Sequence, residues 1–144
     1  MGKRGSLGRG SRSHPAICIA SQLGGSHRFL GYDNFWMIPA PLAIDGERPN
    51  QRYRIIQSGQ SKGIGGEAYY GYRSNLLEAV TENYARFGAP VDGARIRLVK
   101  GSYEETLVAS DYFPIAFAHI DCDWYESVCL SLDHVYKRLQ PGGL

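Results

Sequence analysis

The stretch Ile115-Ala116-Phe117-Ala118-His119-Ile120-Asp121-Cys122-Asp123 decides the fold, because a short apolar run ends abruptly in paired acids. A run of this length bounded by polar residues reads as a strand buried in a parallel sheet. Immediately upstream, Arg95-Ile96-Arg97-Leu98-Val99 reads as a second strand, followed by a turn at Lys100-Gly101-Ser102 and a short helix around Glu104 to Ser110. Downstream, a helix is expected from about Ser127 to Leu139, closed by Pro141-Gly142-Gly143. Moving back along the chain, Leu76, Leu77, Val80 and Tyr84 fall on one face of a helix spanning about Tyr72 to Phe87, with Gly88 in stop position. Earlier still, the strand Arg28 to Tyr32 runs into Asp33, and a helix over Ala16 to Leu23 carries Pro15 at its first turn. Strands alternating with helices are βα units around a parallel sheet, so the class is α/β. Residues 36–67, rich in Pro, Gly, Gln and Ser, read as a long loop with at most a short helical turn.

With 144 residues, the chain is one domain at most. Apolar residues at 43% against 21% charged place most of it among globular rather than disordered sequences. No apolar run approaches the roughly 20 residues of a membrane span. Cys18, Cys122 and Cys129 are an odd number without metal-ligand spacing, and no secretory signal precedes them, which predicts reduced thiols and a cytoplasmic location. The net charge of +2 conceals an asymmetry: residues 1–32 hold Lys3, Arg4, Arg9, Arg12 and Arg28 and no acid. Residues 1–14 are therefore expected to be a basic Gly/Ser/Arg-rich irregular segment ahead of a domain over 15–144. Arginines can neutralise phosphates, but no aromatic interleaves them before Phe29, so nucleic acid is not the expected partner.

In open parallel sheets, ligands bind beyond the carboxyl ends of the strands. Asp33, Gly101-Ser102 and Asp121-Cys122-Asp123 all follow apolar strands. An acid placed like Asp33 can accept from both ribose hydroxyls of a nucleotide, and it is equally suited to starting a turn. Two carboxylates at i and i+2, Asp121 and Asp123, favour a hard cation or raise one pKa towards that of a general base; Asp123 is also placed to cap the next helix. His119, inside the apolar run, reads as a satisfied buried histidine, and Cys122 as facing the core. Trp124 and Tyr125 are placed either to wall a pocket or to pack under the next helix.

The segments Ile96 to Leu107, Ile115 to Ser127 and Leu132 to Gly143, in that order and spacing, resemble the macrocin O-methyltransferase family, and Leu30-Gly31-Tyr32-Asp33-Asn34-Phe35 with Pro39-Ala40-Pro41 resembles the segment after that family's second strand. The resemblance implies a class I methyltransferase with a Rossmann-like sheet, S-adenosylmethionine as methyl donor, Mg²⁺ assisting, and a hydroxyl of a sugar or natural product as acceptor. It implies that Asp33 holds the ribose, that Gly101, Ser102 and Tyr103 line the adenine side, that Asp121 is a metal ligand and that Asp123 is the general base. The glycine-rich turn of the family finds its nearest match in Gly8, Gly10 and Ser11, although no apolar strand precedes it and Lys3-Arg4 stand where an acid is expected. The family continues past Pro-Gly-Gly to two adjacent aspartates, whereas this chain stops at Leu144. The expectation is a Rossmann-like fold without its first strand and C-terminal strands, with sheet edges to be covered or paired with a second copy. A non-catalytic α/β ligand-binding fragment of such an enzyme is the alternative.

Overall fold

The computed structural model describes residues 14–22, 27–110 and 113–144. Helix α1 (His14–Gln22) precedes strand β1 (Phe29–Asp33), and helices α2 (Glu47–Gln57) and α3 (Leu76–Arg86) lie between β1 and strand β2 (Ile96–Lys100). A one-turn helix α4 (Tyr103–Thr106) and the longer α5 (Tyr125–Tyr136) follow. The two strands pair in parallel, in a register running from Phe29 opposite Ile96 to Asp33 opposite Lys100. Parallel pairing requires a long crossover, which α2 and α3 supply. The α/β class expected from the alternation is present. Among the described residues, no helix is long and apolar enough to cross a membrane.

The core forms where α1 and α3 meet the first residues of the strands. Ile17, Ala20, Tyr84, Ala89 and Ile96 are buried together, with Phe29, Val80, Val91 and Leu98 packed against them. Burial in this core raises the Tyr84 phenol pKa to about 12, because the phenolate would lose its hydration. Helix α3 ends as its sequence implies. Gly88 has φ 76°, its N–H donates to Ala85 O at 3.1 Å, and the Ala89 N–H donates to Tyr84 O at 3.0 Å. This is a Schellman motif, which needs a residue free to adopt positive φ. Asp92 then launches β2. One of its carboxylate oxygens accepts from the backbone N–H groups of Ile96, Arg95 and Ala94, and these bonds hold its pKa below the ordinary value.

Two expected elements differ. Residues 36–67 contain an eleven-residue helix, α2, instead of continuous loop. Pro49 falls in its first turn, where no intrahelical donor is lost, and Ile56 is its buried residue. The Tyr72 hydroxyl fastens the end of α2 by donating to Ile56 O at 2.6 Å while accepting from Ser61 N at 3.1 Å. The second difference is that Ile115 to Ile120 is not a strand of the sheet. Ile115 forms a single parallel bridge with Leu139, its N–H donating to Arg138 O and its carbonyl accepting from Gln140 N, both at 2.8 Å. Ala118 and Ala116 exchange bonds with Leu144 in the same way. The chain following α5 therefore pairs with both backbone groups of Ile115, the carbonyl of Ala116 and the N–H of Ala118. His119, expected to be buried, is exposed.

Candidate functional site at the carboxyl ends of the strands

The carboxyl ends of β1 and β2 sit side by side, and the pairing continues one step past the sheet, where Gly101 N donates to Asp33 O at 3.1 Å. Gly101 has φ 151°, and a Cβ added there would lie 2.7 Å from the Thr106 methyl carbon. Only glycine satisfies both conditions. The next residue, Ser102, caps α4: its Oγ accepts from Glu105 N at 3.3 Å, and its carbonyl accepts from the Thr106 hydroxyl at 2.6 Å. The turn thereby leads directly into α4, whose first residue is Tyr103.

On the neighbouring strand, Asp33 closes β1 and turns the chain. Its Oδ1 accepts from Phe35 N at 2.6 Å, and Asn34 Oδ1 accepts from Trp36 N at 3.1 Å, giving two overlapping Asx turns. Phe35 adopts φ 47° and is buried. A left-handed aromatic residue is unfavourable, so the packing of its ring must hold the conformation.

Tyr103 links the two halves of the candidate site. Burial pushes its phenol pKa well above the usual value; Cys122 and Asp33, a hydrogen bond with the Cys122 thiol, and Asp121 push it the same way. The phenol thus lies beside the Cys122 thiol and within electrostatic range of Asp33 and Asp121. Cys122 is half-buried between exposed Asp121 and Asp123, and its sulfur sits 3.5 Å from the hydroxyl of buried Ser131 on α5.

Of the residues singled out in the sequence, Asp33 and Gly101 meet at one edge of the sheet and Ser102 and Tyr103 follow directly, whereas Asp121 and Asp123 follow the apolar run, which is outside the sheet. Gly8, Gly10 and Ser11 lie outside the described residues. Among the described residues, no cluster of three or more His, Cys, Asp or Glu side chains could hold a metal ion, so Asp121 and Asp123 alone do not form the oxygen cage that Mg²⁺ requires. Trp124 is half-buried, its indole Nε1 donating to Pro39 O at 3.0 Å, while Tyr125 is exposed. Sequence reasoning missed Asp45, whose Oδ1 accepts from Tyr125 N at 2.8 Å across 80 residues. No local signal marks it, because the contact exists only once the chain has folded. A separate groove of about 240 Å³, lined by Leu107, Val108, Leu130, Asp133, His134, Lys137 and Arg138, includes none of the expected site residues.

The family described as Macrocin-O-methyltransferase (TylF) matches residues 71–144, from the turn before α3 through β2, Tyr103 and the Asp121-Cys122-Asp123 segment to the end of the chain. No curated protein and no solved structure matches the chain. Asp33 and the segment after it precede the matched region, yet they meet it at Gly101 and Tyr125. With the match spanning half of the sequence and including the acids that close the apolar run, the chain belongs to the macrocin O-methyltransferase family.

Proposed function

We propose that this protein transfers a methyl group from S-adenosylmethionine to a hydroxyl of a small molecule such as a sugar-bearing natural product. The observation that carries the reading is the joined edge at the strand ends, where Gly101 N donates to Asp33 O at 3.1 Å and Ser102 caps the helix that begins at Tyr103. The donor set suits the cofactor: Asp33 offers a carboxylate at a parallel strand end for the ribose hydroxyls, and Gly101, Ser102 and Tyr103 form the adjoining adenine side. Gly8, Gly10 and Ser11 are assigned to the methionine end by resemblance alone. The cofactor, when bound, supplies an electrophilic methyl group on a sulfonium.

This chain's residues then have to bring the hydroxyl into line and remove its proton as it attacks. Asp123 is the proposed base, a solvent-exposed carboxylate two residues beyond Asp121. Asp121 is the residue proposed for Mg²⁺. The described residues do not complete a site for that ion, so no step is derived through it. Calorimetric titration with S-adenosylhomocysteine, followed by transfer of labelled methyl from S-adenosylmethionine to a panel of methyl glycosides, tests the proposal. Absence of cofactor binding by the folded chain would refute it.

A further inference from the structure

We propose that Asp45 is a positioning residue for the acceptor side of the site, fastening residues 34–46 as a strap over the start of α5. The inference builds on the methyltransferase reading and takes from it only that Asp123 and its neighbours serve the acceptor. After the two Asx turns, the chain passes Pro39 and Pro41 and enters a 3₁₀ turn at Ala43–Asp45. There the two oxygens of Asp45 divide their work: Oδ2 accepts from Leu42 N at 2.7 Å, within the strap, and Oδ1 accepts from Tyr125 N at 2.8 Å, the first residue of α5. A second bond runs alongside, from Trp124 Nε1 to Pro39 O at 3.0 Å, spanning 85 residues.

These two bonds grip consecutive residues, Trp124 and Tyr125, that immediately follow Asp123. The N-cap residue of α5 is Trp124, whose side chain makes no capping hydrogen bond. An N-terminal N–H of α5 is satisfied instead by a carboxylate from a distant segment, which also places negative charge at the positive end of the helix dipole. Charge-assisted bonds of this kind are about twice as strong as neutral ones. The Asp33–Gly101 contact, by contrast, continues the β1–β2 ladder and does not depend on the strap. Asp45 therefore fixes where Asp123 and Trp124 stand relative to a cofactor edge that is held independently.

The test uses the full chain with Asp45→Ala and Asp45→Asn. In Asp45→Ala, amide exchange at Tyr125 and exchange of the Trp124 indole N–H should accelerate about tenfold or more, with S-adenosylhomocysteine affinity within about twofold of the parent. Asparagine keeps one acceptor oxygen and should give intermediate exchange. Transfer of labelled methyl to methyl glycosides should lose kcat about tenfold in Asp45→Ala while the cofactor KM holds, and Asp45→Asn should recover part of that loss. Unchanged exchange at Tyr125 overturns the inference. So does a parallel fall in kcat and cofactor affinity that is equal in both variants, which would make Asp45 a general stability element. A parent chain that binds no S-adenosylhomocysteine refutes the methyltransferase reading instead, and Asp45 is then judged by the exchange comparison alone.

Discussion

Gly101 N–H donates to the carbonyl of Asp33 at 3.1 Å, one step past the last ladder pair, so the turn after β2 is anchored to the acid that ends β1. Two residues far apart in sequence thereby become a single edge. The position of the Asp33 carboxylate is consequently tied to the conformation of a glycine, and both can be perturbed separately.

Gly101→Ala should disturb that edge. The new Cβ would meet the Thr106 methyl at 2.7 Å, and φ 151° is unsuited to an L-residue. A loss of about 1–3 kcal/mol in unfolding free energy is expected from strain at such a position, measured by urea titration. Unaltered stability together with unaltered S-adenosylhomocysteine binding would show that the turn relaxes without cost.

Asp33→Ala should act on ligand rather than on fold. Removing a charged acceptor from the ribose side is expected to weaken S-adenosylhomocysteine binding by about 1.5–3 kcal/mol, read by calorimetry. The Phe35 N–H also loses its partner at 2.6 Å, so Asp33→Asn, which keeps that acceptor and removes the charge, separates the two effects. Equal affinity in all three proteins would remove Asp33 from the cofactor site.

The pH dependence of stability should carry opposite signatures from Asp92 and Tyr84. Backbone hydrogen bonds from Ile96, Arg95 and Ala94 lower the folded-state pKa of Asp92 below 3.8, so its contribution is present above that value and disappears as pH falls through the lowered pKa. Burial raises Tyr84 from 10.0 to about 12, so its contribution is complete below pH 10.0 and is lost as pH rises through about 12. Asp92→Asn should flatten the acid limb and Tyr84→Phe the alkaline limb of a denaturation midpoint plotted against pH. Limbs unchanged by these substitutions would assign the titrations to other groups.

The elements legible in the sequence were those whose patterns are local. The face made by Leu76, Val80 and Tyr84 and the stop at Gly88 specify α3, and the apolar Ile96, Leu98 and Val99 specify β2. Helix α2 escaped notice because Arg48, Asn50, Gln51, Arg52 and Arg54 give it no apolar period before Ile55 and Ile56, and its anchor, the Tyr72 hydroxyl, lies 16 residues beyond Ile56. The apolar run Ile115 to Ile120 has the composition of a strand, but a strand is a pairing, and composition does not name the partner. Here Arg138, Gln140 and Leu144 take that place. In the candidate site, Asp33, Gly101 and Asp121 could be found by their position after apolar runs, whereas the roles of Asp45 and Ser131 arise from contacts made across the folded chain.

Asp123→Asn and Asp33→Ala should separate the chemistry from cofactor binding. Asparagine preserves the size and hydrogen-bonding reach of Asp123 but cannot take the acceptor's proton, and general-base catalysis contributes about 10²–10⁴-fold. Methyl transfer from labelled S-adenosylmethionine should therefore fall by that range in kcat, with the cofactor KM unchanged. Asp33→Ala should instead raise the cofactor KM, because a ribose contact is made in the ground state and the transition state alike. Asp121→Asn offers a third comparison, since it neutralises the acid proposed for the cation while leaving Asp123 intact. If Asp121 holds a cation, its substitution should abolish the response of turnover to added Mg²⁺ and leave the Asp123-dependent fraction. Rates for Asp123→Asn equal to the parent, measured under saturating cofactor, would exclude that carboxylate as the base and turn attention to Asp121.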